Sequence, residues 1–348
     1  MKVLYISDRR MGGIVSHVKC LTECLPPEVE RYVIGVGGDE EFAGTSGHDW
    51  REWFQIRRVI KTFRPDIVHF HTPSLFMAAY VRMRRIATVR SWHTPTTGKQ
   101  GWKHRLFFWL LGKDCYYLPV STPTWEGLKK WNPKVRGEVF FNPIRIEEAK
   151  AKGQGEVKND SFFIVGMVGR NADQKDWPSF HEVERIVKNK FWACGKEVVV
   201  GSGSGTVEFL NAGEKEVCDG REAIRKMDLF VMTSKHEELP TTVLECFMLG
   251  TPICGFIPVG GTSDILGFSK GPVREAFIAE RDCDKLSDIV LDLLAHPEKR
   301  QALVEDGRQI LENHFDAERN VRERLVGIYG KIGVGGRCRC TAVVAHEL

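Results

Sequence analysis

Between Asp228 and Pro252 the sequence passes from one kind of local order to another within a few residues. Leu229-Phe230-Val231-Met232 is an unbroken apolar run. A short polar stretch, His236-Glu237-Glu238, follows, and after Pro240 the residues Val243, Leu244, Phe247 and Met248 recur at helical spacing until Gly250 and Pro252 end the pattern. An apolar strand leading through a turn into a helix with a buried face fits a layered α/β fold, which covers both elements. Proline suits a first helical turn, where its missing N–H would be unpaired anyway. Glu237 stays in the loop and Glu245 sits on the helix, with seven residues between them. Helix N-termini attract anions, so two acids at this place make sense if they bind hydroxyls while the amides serve a phosphate.

The same strand–helix alternation runs through the chain. In the first half, strands are expected at 2–7, 31–37, 65–71, 86–95, 116–121 and 138–144, and helices at 14–25, 50–63, 73–85, 101–111 and 122–131. Such a series gives a doubly wound parallel sheet. Residues 145–160 are charged and poor in large apolar side chains, which reads as a linker. Alternation then restarts with strands at 162–169, 197–205, 228–234 and 253–257. Helices follow at 221–227, 240–250, 283–294, 297–311 and 316–332. With 348 residues at roughly 150 per domain, two domains are expected: 1–150 and 151–315, then a terminal helix, 316–332, and a tail, 333–348, of no assigned role.

Composition narrows the function classes. Fifty basic and 46 acidic residues leave a net charge of +4, too balanced for nucleic-acid binding by bulk attraction. The ten cysteines mostly sit inside apolar runs, and neither close pair, Cys20/Cys24 or Cys338/Cys340, has a second half at zinc-site spacing. Free thiols in a reducing compartment are therefore expected. The apolar run Leu106–Leu111 is six residues, too short to span a bilayer. A cytoplasmic protein is expected. The 101–111 segment, basic at its start and apolar after it, is read as a core helix in preference to a face resting on the inner side of an anionic membrane.

Several segments carry chemistry in order along the chain. Gly12-Gly13 follows the first strand, with His17 soon after. Pro65-Asp-Ile-Val-His-Phe-His71 is a strand with alternating histidines, and the next strand ends at His93. Val168-Gly169-Arg170 leads to Lys175. Glu197-Val-Val-Val-Gly201 ends in a glycine-rich turn, and Val259-Gly260-Gly261-Thr262 precedes Asp264. With the Glu237–Glu245 spacing, this ordered set resembles the retaining GT-B glycosyltransferases of family 4 (group 1), over roughly residues 1–332 and most strongly in the second half. Asp264 departs from that family's Glu by one methylene.

The resemblance implies GT-B architecture, two Rossmann-like domains facing a cleft. It also implies transfer of a sugar from a nucleoside-diphosphate sugar to a hydroxyl acceptor (a glycan, lipid-linked sugar or small molecule), with no cofactor besides that co-substrate. The catalytic residues would be His93, Arg170, Lys175 and Glu237. Gly12, Gly13, Gly169, Gly201, Leu239, Pro240, Thr241 and Glu245 would join Arg170, Lys175 and Glu237 around the donor, with Glu245 on the ribose. No metal is implied, since a basic pair can neutralise a departing diphosphate. The partners implied are the nucleotide sugar and the acceptor, with peripheral membrane contact as an added option and no nucleic acid. Two alternatives stand beside this: a sugar-nucleotide epimerase of the same fold, and a non-catalytic nucleotide-sugar-binding protein.

Overall fold

The computed structural model describes residues 1–8, 13–36, 50–72, 75–93, 102–111, 114–146, 162–193, 199–200, 203–204, 206–214 and 219–333. The chain divides into two compact units. One is Met1–Pro143 together with the segment from Ala317 onward; the other is Ile144–Asp316.

The first unit is built on a six-stranded, all-parallel sheet: β1 (Lys2–Asp8), β2 (Glu30–Val36), β3 (Ile67–Phe70), β4 (Ala87–Trp92), β5 (Cys115–Pro119) and β6 (Arg136–Gly137), in the order β2-β1-β3-β4-β5-β6. β1 alternates between two cores. Leu4 and Ile6 pack with Val68, Phe70, Trp92 and Phe107 on one face. Val3 and Tyr5 pack on the other with Val18 and Leu21 of the Gly13–Cys24 helix. That second face is completed by Val321, Leu325, Ile328 and Tyr329, so the C-terminal helical segment belongs to this unit's core. No strand forms over the expected 138–144; β6 lies just before it, at Arg136–Gly137. Beyond β6 the chain stays tied to β5 through Glu138 N to Tyr117 O and Phe140 N to Pro119 O, without a continuous ladder.

The second unit holds a five-stranded parallel sheet: β7 (Phe162–Val168), β10 (Thr206–Ala212), β11 (Leu229–Met232), β13 (Ile253–Phe256) and β15 (Phe277–Ile278), ordered β10-β7-β11-β13-β15. Short pairs β8 (Val199–Val200) with β9 (Gly203–Ser204), and β12 (His236–Glu237) with β14 (Val259–Gly260), lie outside it. The strand expected at 197–205 is thus displaced: the sheet member is Thr206–Ala212, paired in full register with β7. The Trp177–Ala193 helix, between β7 and β8, lies outside the helices expected above.

In both sheets the strand order reverses beside the first strand, between β1 and β3 and between β7 and β11. Doubly wound folds open their ligand crevice at the carboxyl ends of strands at such a reversal. The residues following β1, β3, β7 and β11 are therefore where chemistry is expected.

The 102–111 helix buries Phe107 and Leu111 and exposes Trp109, consistent with a core helix. Among the described residues no helix is long and apolar enough to cross a membrane. The described cysteines are free thiols, four of them buried.

Candidate functional site

After β7 the chain runs Gly169-Arg170, turns once through Asp173–Lys175, and enters the next helix at Trp177. After β11 it runs to β12. These two stretches meet. Lys175 Nζ lies 2.6 Å from Glu237 Oε1. The Lys175 stem lies over Gly169, where an added Cβ would come within 3.0 Å of three of its carbons. Gln174 Nε2 donates to His236 O at 2.7 Å, and Lys235 N to Gln174 O at 2.8 Å. Glu237 is held from the other side by Gly260 and Gly261. Gly261 N donates to Glu237 O at 2.8 Å, and Gly260, at φ +121, passes so close that a Cβ there would stand 2.0 Å from the same oxygen. Glycine alone takes that conformation without strain.

The turn is anchored from below. Asp176, left-handed at φ 54, accepts from Ser179 Oγ at 2.7 Å and from the Arg281 guanidinium. Arg281 also donates to Ser234 O at 3.1 Å and lies over the Phe256 ring. Thr233 Oγ1 is 3.1 Å from the carbonyls of Lys175 and Asp176. Burial would raise the Asp176 carboxyl, but the Ser179 and Arg281 hydrogen bonds outweigh it and hold it below the usual range. The Arg170 side chain is exposed, and its carbonyl accepts from Trp177 Nε1.

Leu239 and Pro240 are buried where the Thr241–Leu249 helix begins, Pro240 serving as its cap. Gly250 stops the helix in a left-handed conformation. Glu245 is paired with Arg221 Nε at 3.3 Å, from the preceding Gly220–Lys226 helix. Burial raises the Glu245 carboxyl, partly offset by Arg221.

In the first unit the histidines converge at the sheet's reversal. His17 comes from the first helix, His69 and His71 from β3 and the residue just beyond it, and His93 from just beyond β4. His71 Nδ1 is 3.3 Å from His93 Nε2. The His17 ring is 5.3 Å from that of His71 and 5.0 Å from that of His93. His69 is different: both its nitrogens are satisfied, by Tyr329 OH at 2.6 Å and Ser91 Oγ at 2.9 Å. Burial pushes His69 and His93 down to about 3 and holds His17 and His71 well below the usual range.

Lys175 and Glu237 are thus in direct contact on Gly169, while Glu245 pairs with Arg221. His93 belongs to the first unit's cluster, beside His17. Gly12 and Gly201 lie outside the described residues; Gly13 opens the first helix. Sequence reasoning missed Gln174, Arg221 and Arg281, because nothing local marks a surface-type residue whose partner is distant in sequence. One Asp-x-Asp triplet is present, Asp282-Cys283-Asp284, but Asp282 caps its helix, accepting from the amides of Asp284 and Lys285.

Two family models match the chain: Glycosyltransferase Family 4 over residues 11–135, and Glycosyl transferases group 1 over residues 204–310. The chain belongs to the family 4, group 1 glycosyltransferases. The first match contains the histidine cluster and the second the Glu237–Glu245 stretch. Arg170 and Lys175 fall outside both, so their claim rests on the geometry around Glu237.

A GDP-mannose-dependent α-mannosyltransferase of Mycobacterium tuberculosis (strain CDC 1551 / Oshkosh) is 26% identical over 247 residues, 61% of each chain. A 2-deoxystreptamine N-acetyl-D-glucosaminyltransferase of Streptomyces fradiae is 31% identical over 251 residues, 60% of this chain and 58% of its own. The chain therefore spans about three-fifths of the length of the curated relatives it matches. Among solved structures, Anabaena HepE in complex with UDP and glucose superposes with a TM-score of 0.67 at 14% identity, covering 95% of this chain and all of that one. The fold of this family member is GT-B.

Proposed function

We propose that this family 4 member is a retaining glycosyltransferase that moves a sugar from a nucleoside-diphosphate sugar to a hydroxyl acceptor. The observation that carries the reading is the Lys175–Glu237 pair, seated on Gly169 at the carboxyl end of β7. A cation and a carboxylate held together at a strand reversal suit a ligand with both phosphate and hydroxyls. Lys175 and the exposed Arg170 would take the diphosphate, whose charge grows as the glycosidic bond breaks. A cation about 4 Å from such a charge is worth up to about 4 kcal/mol at an effective dielectric of ~20. Glu237 would then turn to hydroxyls of the sugar, and the amides of Leu239 and Thr241 would lie near the phosphate end. Glu245 would accept from the ribose. The curated relatives are named for sugar transfer, and the HepE structure holds UDP and glucose, which supports the donor class.

The two glutamates are not read as a glycosidase pair, since that chemistry needs both carboxyls flanking one glycosidic bond. The test is a melting-temperature screen of nucleoside diphosphates and their sugars, followed by a transfer assay with the best binder. Binding should raise the melting temperature by linkage, and Arg170→Ala should lower turnover by about a hundredfold. No binder in the screen, or Arg170→Ala turning over at the wild-type rate, would remove the phosphate assignment.

A further inference from the structure

We propose that His17, His71 and His93 hold one divalent transition-metal ion, with zinc the best match. Their candidate ligand nitrogens all lie within 4.8 Å of one another. The closest pair, His71 Nδ1 and His93 Nε2, is 3.3 Å apart. Two nitrogens bound to one tetrahedral zinc at 2.0–2.1 Å stand about 3.4 Å apart, so that pair already has the edge length of such a site. Side-chain rotation would need to close the rest of the set by about 1.4 Å.

The second observation concerns polar atoms without partners. Both nitrogens of His17 and Nε2 of His71 are buried with no hydrogen-bond partner among the described residues. The two side chains are 4% and 3% exposed. Buried polar groups are nearly always paired, and a ligated ion would satisfy one of the two unpartnered nitrogens of His17, while His71, ligating through the Nδ1 that faces His93, would carry its N–H on Nε2.

The surroundings set the ion's class. Three imidazoles without thiolate suit zinc, copper or nickel better than calcium or magnesium. Arg90, stacked over Trp92 and Phe107, adds positive charge nearby, and the trio contains no carboxylate. The fourth position is therefore left to an anion or hydroxide from solvent, reached past His93, the one of the three that is not fully buried. His69 stays out of the set because Tyr329 and Ser91 use both its nitrogens; its ring packs 4.3 Å from His71 and fixes that side.

This site goes beyond the transfer reading and gives His93 a role other than the catalytic one that the resemblance implies. Metal uptake is measured without donor or acceptor, so its result is separate from that of the transfer assay. The purified full chain is stripped with a chelator and titrated with Co²⁺ and then Zn²⁺. One equivalent of Co²⁺ should bind with the visible absorption of a four-coordinate ion and no thiolate-to-cobalt charge-transfer band, and one equivalent of Zn²⁺ should displace it. His93→Ala should weaken Co²⁺ binding by more than about tenfold while the metal-free variant melts close to wild type. Uptake well below one equivalent, a thiolate band, or wild-type affinity in His93→Ala would each overturn the assignment. The wild-type spectrum decides the matter even if the variant fails to fold.

Discussion

Lys175 Nζ and Glu237 Oε1 stand 2.6 Å apart with their side chains only 15% and 10% exposed. The charges proposed for phosphate and sugar are thus spent on each other before a ligand arrives. Removing one partner of a buried pair leaves an uncompensated charge and costs about 3 kcal/mol or more. Lys175→Ala is therefore expected to lose stability by about that amount and turnover by about a hundredfold. In Lys175→Met with Glu237→Gln, stability should return while turnover stays low. Denaturant unfolding and steady-state rates on the three proteins separate the two roles. Stability loss without a rate loss would make the pair a structural clamp only.

Gly260 offers an independent test of how Glu237 is held. An alanine there must adopt φ +121 with its Cβ 2.0 Å from Glu237 O. Strain of this kind costs about 1–3 kcal/mol, and relief would move the Glu237 backbone. Gly260→Ala should lower the melting temperature and raise the donor KM. Gly267→Ala is the control: nothing lies within 4 Å of a Cβ at that helical position, so it should be neutral or stabilising by about 0.5–1 kcal/mol. Equal behaviour of the two variants would show that the β12–β14 contact does not position the site.

The legible parts of this molecule were those written in local pattern. The Trp50–Phe63 helix has the bounds its apolar spacing predicts, and Lys2–Asp8 is the buried strand its composition implies. Thr206–Ala212 was missed because Thr206, Glu208 and Asn211 interrupt its apolar residues, whereas Val198-Val199-Val200 beside it looks more strand-like. Pairing with β7 made the choice, and pairing is not a local property. The candidate site divides in the same way. Glu237, Glu245, Arg170 and Lys175 stand in recognisable motifs. The convergence of His17, His71 and His93 follows from the order β1-β3-β4, and Arg221 reaches Glu245 across 24 residues, so neither was visible in sequence.

His181, in the helix that follows the Arg170–Lys175 segment, gives a pH signature of its own. Its Nε2 is 2.9 Å from Glu214 Oε1 and its Nδ1 3.4 Å from Glu184 Oε2. Two acceptors on one ring require both nitrogens to donate, which only the imidazolium can do. The hydrogen bond to Glu214 raises its pKa, against the opposing effect of burial and with help from Glu184. A folded pKa above the unfolded value of about 6.5 gives stability that is fully present below pH ~6.5. That contribution is lost as pH rises through the folded pKa. The ring is partly exposed, so the contribution should be at most about 1 kcal/mol. Melting curves of wild type and His181→Gln should differ most in mildly acidic buffer and converge at alkaline pH. A constant gap across that window would mean that the charge is not involved.

Tyr329 ties the C-terminal helix of the first unit to its sheet through polar atoms. Its hydroxyl meets Tyr5 OH at 2.8 Å and His69 Nδ1 at 2.6 Å, all three groups fully buried. Tyr329→Phe removes the shared centre and leaves two buried groups without a partner. Each such group costs about 1–3 kcal/mol, so a loss of about 2–6 kcal/mol is expected. Tyr5→Phe removes an end and leaves the Tyr329–His69 bond in place, so it should cost about 1 kcal/mol. Because both deletions break the same Tyr5–Tyr329 bond, the double variant should lose less than the two single losses added together. Denaturant unfolding of the four proteins reads this directly. Strict additivity would mean that the hydroxyls act separately and that apolar packing alone holds the helix to the sheet.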